Sequence, residues 1–114
     1  MKRVVTVLVG LVFFSGSVAL TQDAKVAAGK KLYADEKCGT CHAIGGTGGK
    51  TASALDKVGG KLSAADTKKW LTDTAAMEAK VTPKPKVPMS GFMKSKKLSD
   101  ADVDALVAYL QSLK

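Results

Sequence analysis

Apolar residues recur at helical spacing in two well-marked stretches, one near each end of the chain, with a third between them. Towards the C-terminus Val103, Leu106, Val107, Leu110 and Leu113 fall on one face of a helix, and Leu98 stands where it can staple to Val103 across the first turn. Near the other end the spacing predicts a helix over Asp23 to Lys37, with Val26, Gly29, Leu32, Tyr33 and Glu36 close to one side. A glycine inside a helix costs about 1 kcal/mol against alanine. Gly29 on the side of Val26 and Tyr33 therefore points to the close approach of another backbone. The third stretch carries Trp70 and Leu71 and is expected to run from Ser63 to about Met77.

Two of these helices share a start signal. Leu62-Ser63-Ala64-Ala65-Asp66 and Leu98-Ser99-Asp100-Ala101-Asp102 each place a serine where its hydroxyl can accept from a first-turn N–H, with an acid where the helix dipole favours negative charge. The likeness is cap chemistry and not an internal repeat. Little in the chain alternates as a half-buried strand does.

Between the helices lie two segments of different character. Gly45-Gly46-Thr47-Gly48-Gly49 reads as a loop too flexible for regular structure. It is no phosphate loop: Gly49-Lys50-Thr51 has no glycine five places earlier and no strand before it. Between Glu78 and Ser99, Pro83, Pro85 and Pro88 oppose ordinary helix and favour an extended strap. Lys80, Lys84, Lys86, Lys94, Lys96 and Lys97 lie there without an acid among them.

The first residues read as an export leader: Lys2 and Arg3, an apolar stretch from Val4 to Phe14, then Ser17-Val18-Ala19 fitting a small-x-small cleavage site. Cleavage after Ala19 is expected, giving a signal peptide over 1–19, one domain over 20–114 and a periplasmic protein. The bland alternative is a retained anchor, since Val4 to Leu20 approaches the ~20 apolar residues a spanning helix needs. Gly10, Ser15, Gly16 and Ser17 weaken that alternative.

The roughly 95 residues that remain form one small domain with a modest core. The formal charge is +8, and without Lys2 and Arg3 it is +6, all from lysine. Nucleic acid is a poor partner for an exported chain with no arginine outside the leader and no aromatic stacking strip. Partner proteins with acidic docking surfaces fit the charge better, on a monomer that meets a membrane only through partner complexes unless the leader is kept.

The chemistry concentrates in Cys38-Gly39-Thr40-Cys41-His42. Cys-x-x-Cys-His is the attachment sequence of a c-type haem: on a helical turn, residues three apart share a face, so both thiols can meet one porphyrin edge, and the imidazole one step on can bind iron. A thioredoxin-like pair would need a βαβ setting, and a closed zinc site would need four ligands where the chain has two cysteines and one histidine. With His42 the only histidine, a second iron ligand must be methionine or lysine, or the position is open. Met77 falls on the middle helix, and Met89 and Met93 fall in or just after the strap.

The chain as a whole resembles the class I cytochromes c. The likeness covers Gly29 and Tyr33, the Cys38 to His42 motif, the glycine-rich loop, a middle helix, a methionine strap and a last helix with Leu106 and Tyr109. It implies an all-α cytochrome c fold, with three to four helices around one haem c bound covalently through Cys38 and Cys41. It also implies that the glycine and tyrosine matching Gly29 and Tyr109 mark the crossing of first and last helices. In the family the ligand methionine is often followed three residues later by phenylalanine, as in Met89-Ser90-Gly91-Phe92. The resemblance thus favours His42 and Met89 as the iron ligands, with Met93 as runner-up.

Two departures stand out. Proline precedes Met89 here, whereas many relatives have it directly after the methionine. Ala52-Ser53-Ala54-Leu55 replaces the Gly-Pro-x-Leu whose proline carbonyl accepts from the proximal imidazole, so Ser53 would have to supply that carbonyl. Trp70 matches an aromatic that packs against the haem in some relatives, although a core tryptophan with a polar tip explains it as well. The expected function is that of a periplasmic one-electron carrier and not an enzyme, with no catalytic residues; the alternative is a dedicated cytochrome subunit or electron acceptor of a periplasmic oxidoreductase complex.

Overall fold

The computed structural model describes residues 21–114, so the leader expected over 1–19 lies outside the described residues. Among the described residues six helices follow one another: α1 (Gln22–Asp35), α2 (Val58–Lys61), α3 (Ala64–Thr72), α4 (Thr74–Lys80), α5 (Met89–Lys94) and α6 (Asp100–Ser112). A 3-10 turn, Cys38–Thr40, and a two-stranded ribbon, β1 (Ala43–Ile44) and β2 (Thr47–Gly48), lie between α1 and α2.

The frame is the crossing of α1 on α6. A Cβ on Gly29 would overlap the carbonyl oxygen of Ala105 and stand 2.7 Å from the Cβ of Tyr109. Hydrogen alone fits between the two backbones. One turn further along, Tyr33 meets Tyr109 edge to face, with ring centroids 5.7 Å apart and planes at 68°. α6 is the most buried element, and it buries Val103, Ala105, Leu106, Ala108, Tyr109 and Leu110. This is wider than the single apolar face of the sequence reading, because α1 and α3 both pack against α6. Val107, expected on the apolar face, is only half-buried.

The caps form as the sequence implies. Ser99 and Asp102 make a reciprocal capping box, at 3.1 and 3.0 Å, and the Ser63 hydroxyl accepts from Asp66 N at 3.1 Å. The first helix ends two residues earlier than expected: Glu36 is its C-cap, and Lys37 turns left-handed at φ 59° to lead into the 3-10 turn.

Three expectations need correction. The middle helix does not run unbroken to Met77; it breaks at Asp73 (φ −134°, ψ 50°) and resumes as α4, which reaches Lys80. Thr72 and Thr74 donate their hydroxyls to the carbonyls of Lys68 and Trp70, the back-bonding that bends helices. The strap is not extended throughout either. Once past Pro88, residues Met89–Lys94 coil into α5, since no proline follows to prevent it. Finally, the glycine-rich loop is a tight hairpin, with Ala43 opposite Gly48, Ile44 opposite Thr47, and a turn at Gly45 and Gly46, both of positive φ.

The crossing yields a prediction. Gly29→Ala should lower stability by about 2 kcal/mol or more through overpacking, whereas Gly60→Ala, with open space around its Cβ, should cost nothing or stabilise slightly. Thermal unfolding of the two variants checks this, and equal midpoints would contradict the crossing.

Candidate functional site

The thiol pair rides on the 3-10 turn. Cys41 N donates to Cys38 O at 3.3 Å and His42 N to the same oxygen at 3.2 Å. In 3-10 geometry residues three apart eclipse one another, so the turn sets Cys38 and Cys41 on one side. Both thiols are half-buried and free. Burial pushes the Cys38 thiol up from its ordinary pKa, and the nearby Lys96 ammonium opposes the shift.

His42 is held by its ring and by its carbonyl. Its Nδ1 lies 2.7 Å from the carbonyl oxygen of Ser53. A carbonyl only accepts, so Nδ1 carries the proton and Nε2 is left with the lone pair a metal needs. Ser53 is placed by bonds on either side of it: Ala52 N donates to Cys41 O at 3.0 Å, and Leu55 N to Ala43 O at 2.9 Å. The proline ring of the family pattern is dispensable, because the backbone supplies the acceptor. The His42 carbonyl accepts from the Tyr33 hydroxyl at 3.1 Å, which ties the turn to the α1/α6 frame. From the far side the hairpin closes on the same turn. Gly49 N donates to Gly39 O at 2.8 Å, and a Cβ on Gly49 would overlap the carbonyl oxygen of Thr40.

Opposite this wall stands α5. Cys38, Cys41 and His42, with Lys37, Thr51 and Ala52, face Val87, Pro88, Met89, Phe92 and Met93 across one cleft whose lining is overwhelmingly apolar. The cleft thus joins two thiols, one imidazole with Nε2 available, and thioether sulfurs in an apolar setting. That donor set suits a porphyrin fixed by thioether bonds and an iron fixed by nitrogen and sulfur. Met89 and Met93 are one helical turn apart, and both line the cleft, whereas Met77 does not. Trp70 is half-buried and is not among the residues that line the cleft. Phe92, the phenylalanine three residues after Met89, also lines the cleft.

Three contacts at this site were not read from the sequence. The Tyr33 hydroxyl bond is one, although the aromatic was seen. The second is Lys96, whose ammonium lies 3.2 Å from a Glu36 carboxylate oxygen and 4.5 Å from the Phe92 ring centroid, linking the end of α1 to the end of α5. The third is Glu78, buried on α4, whose Oε1 accepts from Ser90 N at 2.8 Å. That N–H holds the Glu78 carboxyl below its ordinary pKa.

A helical domain that presents a paired-thiol turn and its one histidine to methionines across an apolar cleft defines a protein built to carry a covalently attached haem. The chain belongs to the cytochrome c family, whose model, described as cytochrome c, matches residues 26–114. The family binds haem c covalently and transfers electrons, its members being typically carriers and not enzymes, and Cys38 and Cys41 fit its attachment motif. Comparison with curated proteins and with solved structures gave no match.

The grip on the turn is testable through Tyr33. Burial raises its pKa from 10.0 to about 12. Tyr33→Phe keeps the ring contact and deletes one hydrogen bond, so it should cost about 1 kcal/mol at neutral pH. With the folded pKa above the unfolded one, the tyrosine's contribution is complete below pH 10.0 and is lost as pH rises through about 12. Denaturant unfolding of both proteins across that window should show the two curves converging; curves that stay parallel would count against this role.

Proposed function

We propose that the chain is an exported, periplasmic one-electron carrier whose iron is held by His42 and Met89 and which docks on acidic redox proteins. The observation that carries the reading is the facing of His42 Nε2 and the α5 methionines across one apolar cleft, with the imidazole tautomer set by the Ser53 carbonyl. The bound haem supplies a one-electron ferric–ferrous couple. His42 contributes an imidazole whose basicity is raised by its Nδ1–H bond. Held by His42 and Met89, the iron would have a thioether ligand, which raises the reduction potential, and would offer no position to a substrate. The apolar lining keeps water from the site, so the protein has little solvent to reorganise when charge changes.

Met89 is favoured over Met93 by two features. It opens α5 directly after Pro88, whose fixed φ of −66° sets its approach, and it is followed by phenylalanine at the family's spacing. Export is supported by the basic start, apolar run and small-residue site over 1–19.

Docking is supported by the lysines of the segment after Glu78, though not by all six. Lys84 caps α4, its ammonium reaching the carbonyls of Glu78 and Ala79 at 3.3 and 2.6 Å. Lys96 is taken up by Glu36 and Phe92. Lys80, Lys86, Lys94 and Lys97 are exposed and, among the described residues, make no ion pair. These four are the ones available to steer a partner, by a field that salt screens.

Two measurements test the reading. Met89→Ala should abolish the iron–thioether charge-transfer band of the ferric holoprotein while Met93→Ala keeps it; the reverse pattern would move the ligand to Met93. The second-order rate of electron transfer to an acidic redox protein should fall with added salt, and more weakly when Lys86 and Lys94 are replaced by glutamine. A rate indifferent to salt would remove the docking role.

A further inference from the structure

Glu78 is a buried acid that the proposed function does not use. It stands on α4 at 9% exposure, among residues where a carboxylate is rarely left without a task. Its Oε1 takes the backbone N–H of Ser90, the residue after Met89, from 12 positions away in the chain. α5 needs such a partner. The first N–H groups of a helix have no intrahelical acceptor, and Pro88, at the N-cap, offers no side-chain cap. The backbone is therefore fixed on both sides of Met89, by the Pro88 ring before it and the Glu78 carboxylate after it. The break at Asp73 starts α4 afresh, and α4 then packs against α5. Lys84 binds the carbonyls of Glu78 and Ala79, so the proline segment is tied to the same turn of α4 that carries the acid.

We propose that Glu78 is a positioning residue for the distal iron ligand: through Ser90 N–H its carboxylate holds Met89 in the cleft, and its buried negative charge on that side favours ferric over ferrous iron. The inference rests on the reading of Met89 as the distal ligand. A helix cap with no influence on the metal would affect stability only. A ligand-positioning anion acts in two further ways. Its removal frees the coordination position for competitors, and its neutralisation raises the reduction potential.

Two variants separate the parts. Glu78→Gln keeps an oxygen that can accept from Ser90 N–H and deletes the charge; Glu78→Ala deletes both. In the holoprotein, Glu78→Gln should retain the iron–thioether charge-transfer band and show a higher reduction potential than the unaltered protein. Asp104→Asn, which removes an exposed acid paired with Lys68, should leave the potential where it was. Glu78→Ala should weaken the band and bind added imidazole roughly ten- to a hundredfold more tightly. That factor is the equilibrium equivalent of one charge-assisted hydrogen bond, because a competitor's apparent affinity rises with the fraction of protein whose ligand is off.

An alanine variant that binds imidazole no more tightly than the unaltered protein overturns the positioning role. A glutamine variant whose potential is not raised overturns the electrostatic one, and it carries the test alone if the alanine protein fails to accumulate. Met89→Ala, measured alongside, tells the failures apart. If that variant keeps the band, the ligand assignment falls and this inference with it; if it loses the band while the Glu78 variants behave as the unaltered protein, only this inference falls.

Discussion

The 2.7 Å contact from His42 Nδ1 to the Ser53 carbonyl decides what the rest of the chain can be used for. A histidine beside two thiols is chemically ambiguous until one ring nitrogen is committed, since either can bind a metal and either can carry the proton. Here the commitment is made by backbone. Ala52 and Leu55 are bonded to the chain just around the motif, and the carbonyl between them has little choice of direction. Tyr33 carries the constraint outward, because its hydroxyl holds the His42 carbonyl while its ring rests on Tyr109 in the α1/α6 crossing. The close helix packing at Gly29 is thereby connected to the orientation of one imidazole.

The two walls of the cleft are built on different physical terms. The wall with the thiols is held mainly by main-chain hydrogen bonds over short sequence distances, and by glycines that let the hairpin lie directly on the 3-10 turn. The wall with the methionines has a short helix between prolines and lysines, held from elsewhere by side chains: Glu78 at its start, and Glu36 through Lys96 at its end. A rigid wall suits the group that must be covalently joined. With Met89 as the proposed ligand, a wall held by a few charged side chains would let changes there tune the iron without disturbing the attachment. The Lys96 pair is partly exposed, with side chains 19% and 30% accessible, so its contribution is moderated by solvent.

What could be read from the residues, and what could not, follows from the range of the interactions. The capping serines, the Gly29 approach and the thiol turn are local or leave a mark at one position, and all were legible. The Ser53 carbonyl was reachable only by the resemblance, since any residue has a carbonyl. The break at Asp73 was hidden because Ala64 to Lys80 has no proline or glycine; threonine hydroxyls end the first piece, and helix propensity says little about them. The hairpin at Gly45–Gly46 was concealed by composition, as glycines that free a loop also permit the tightest turn. The prolines were over-read: three of them shape Pro83 to Pro88, yet nothing after Pro88 forbids α5. The roles of Glu78 and Glu36 were not legible, because nothing local marks an acid whose partner lies many residues away.

The account stands or falls on whether the cleft holds a porphyrin joined to the chain. The most direct measurement is the intact mass of the polypeptide under denaturing conditions, after production in a host that carries haem-attachment machinery. The expected result is a chain heavier by one haem, with no thiol left to alkylate. A chain of unmodified mass bearing two alkylatable thiols would contradict it.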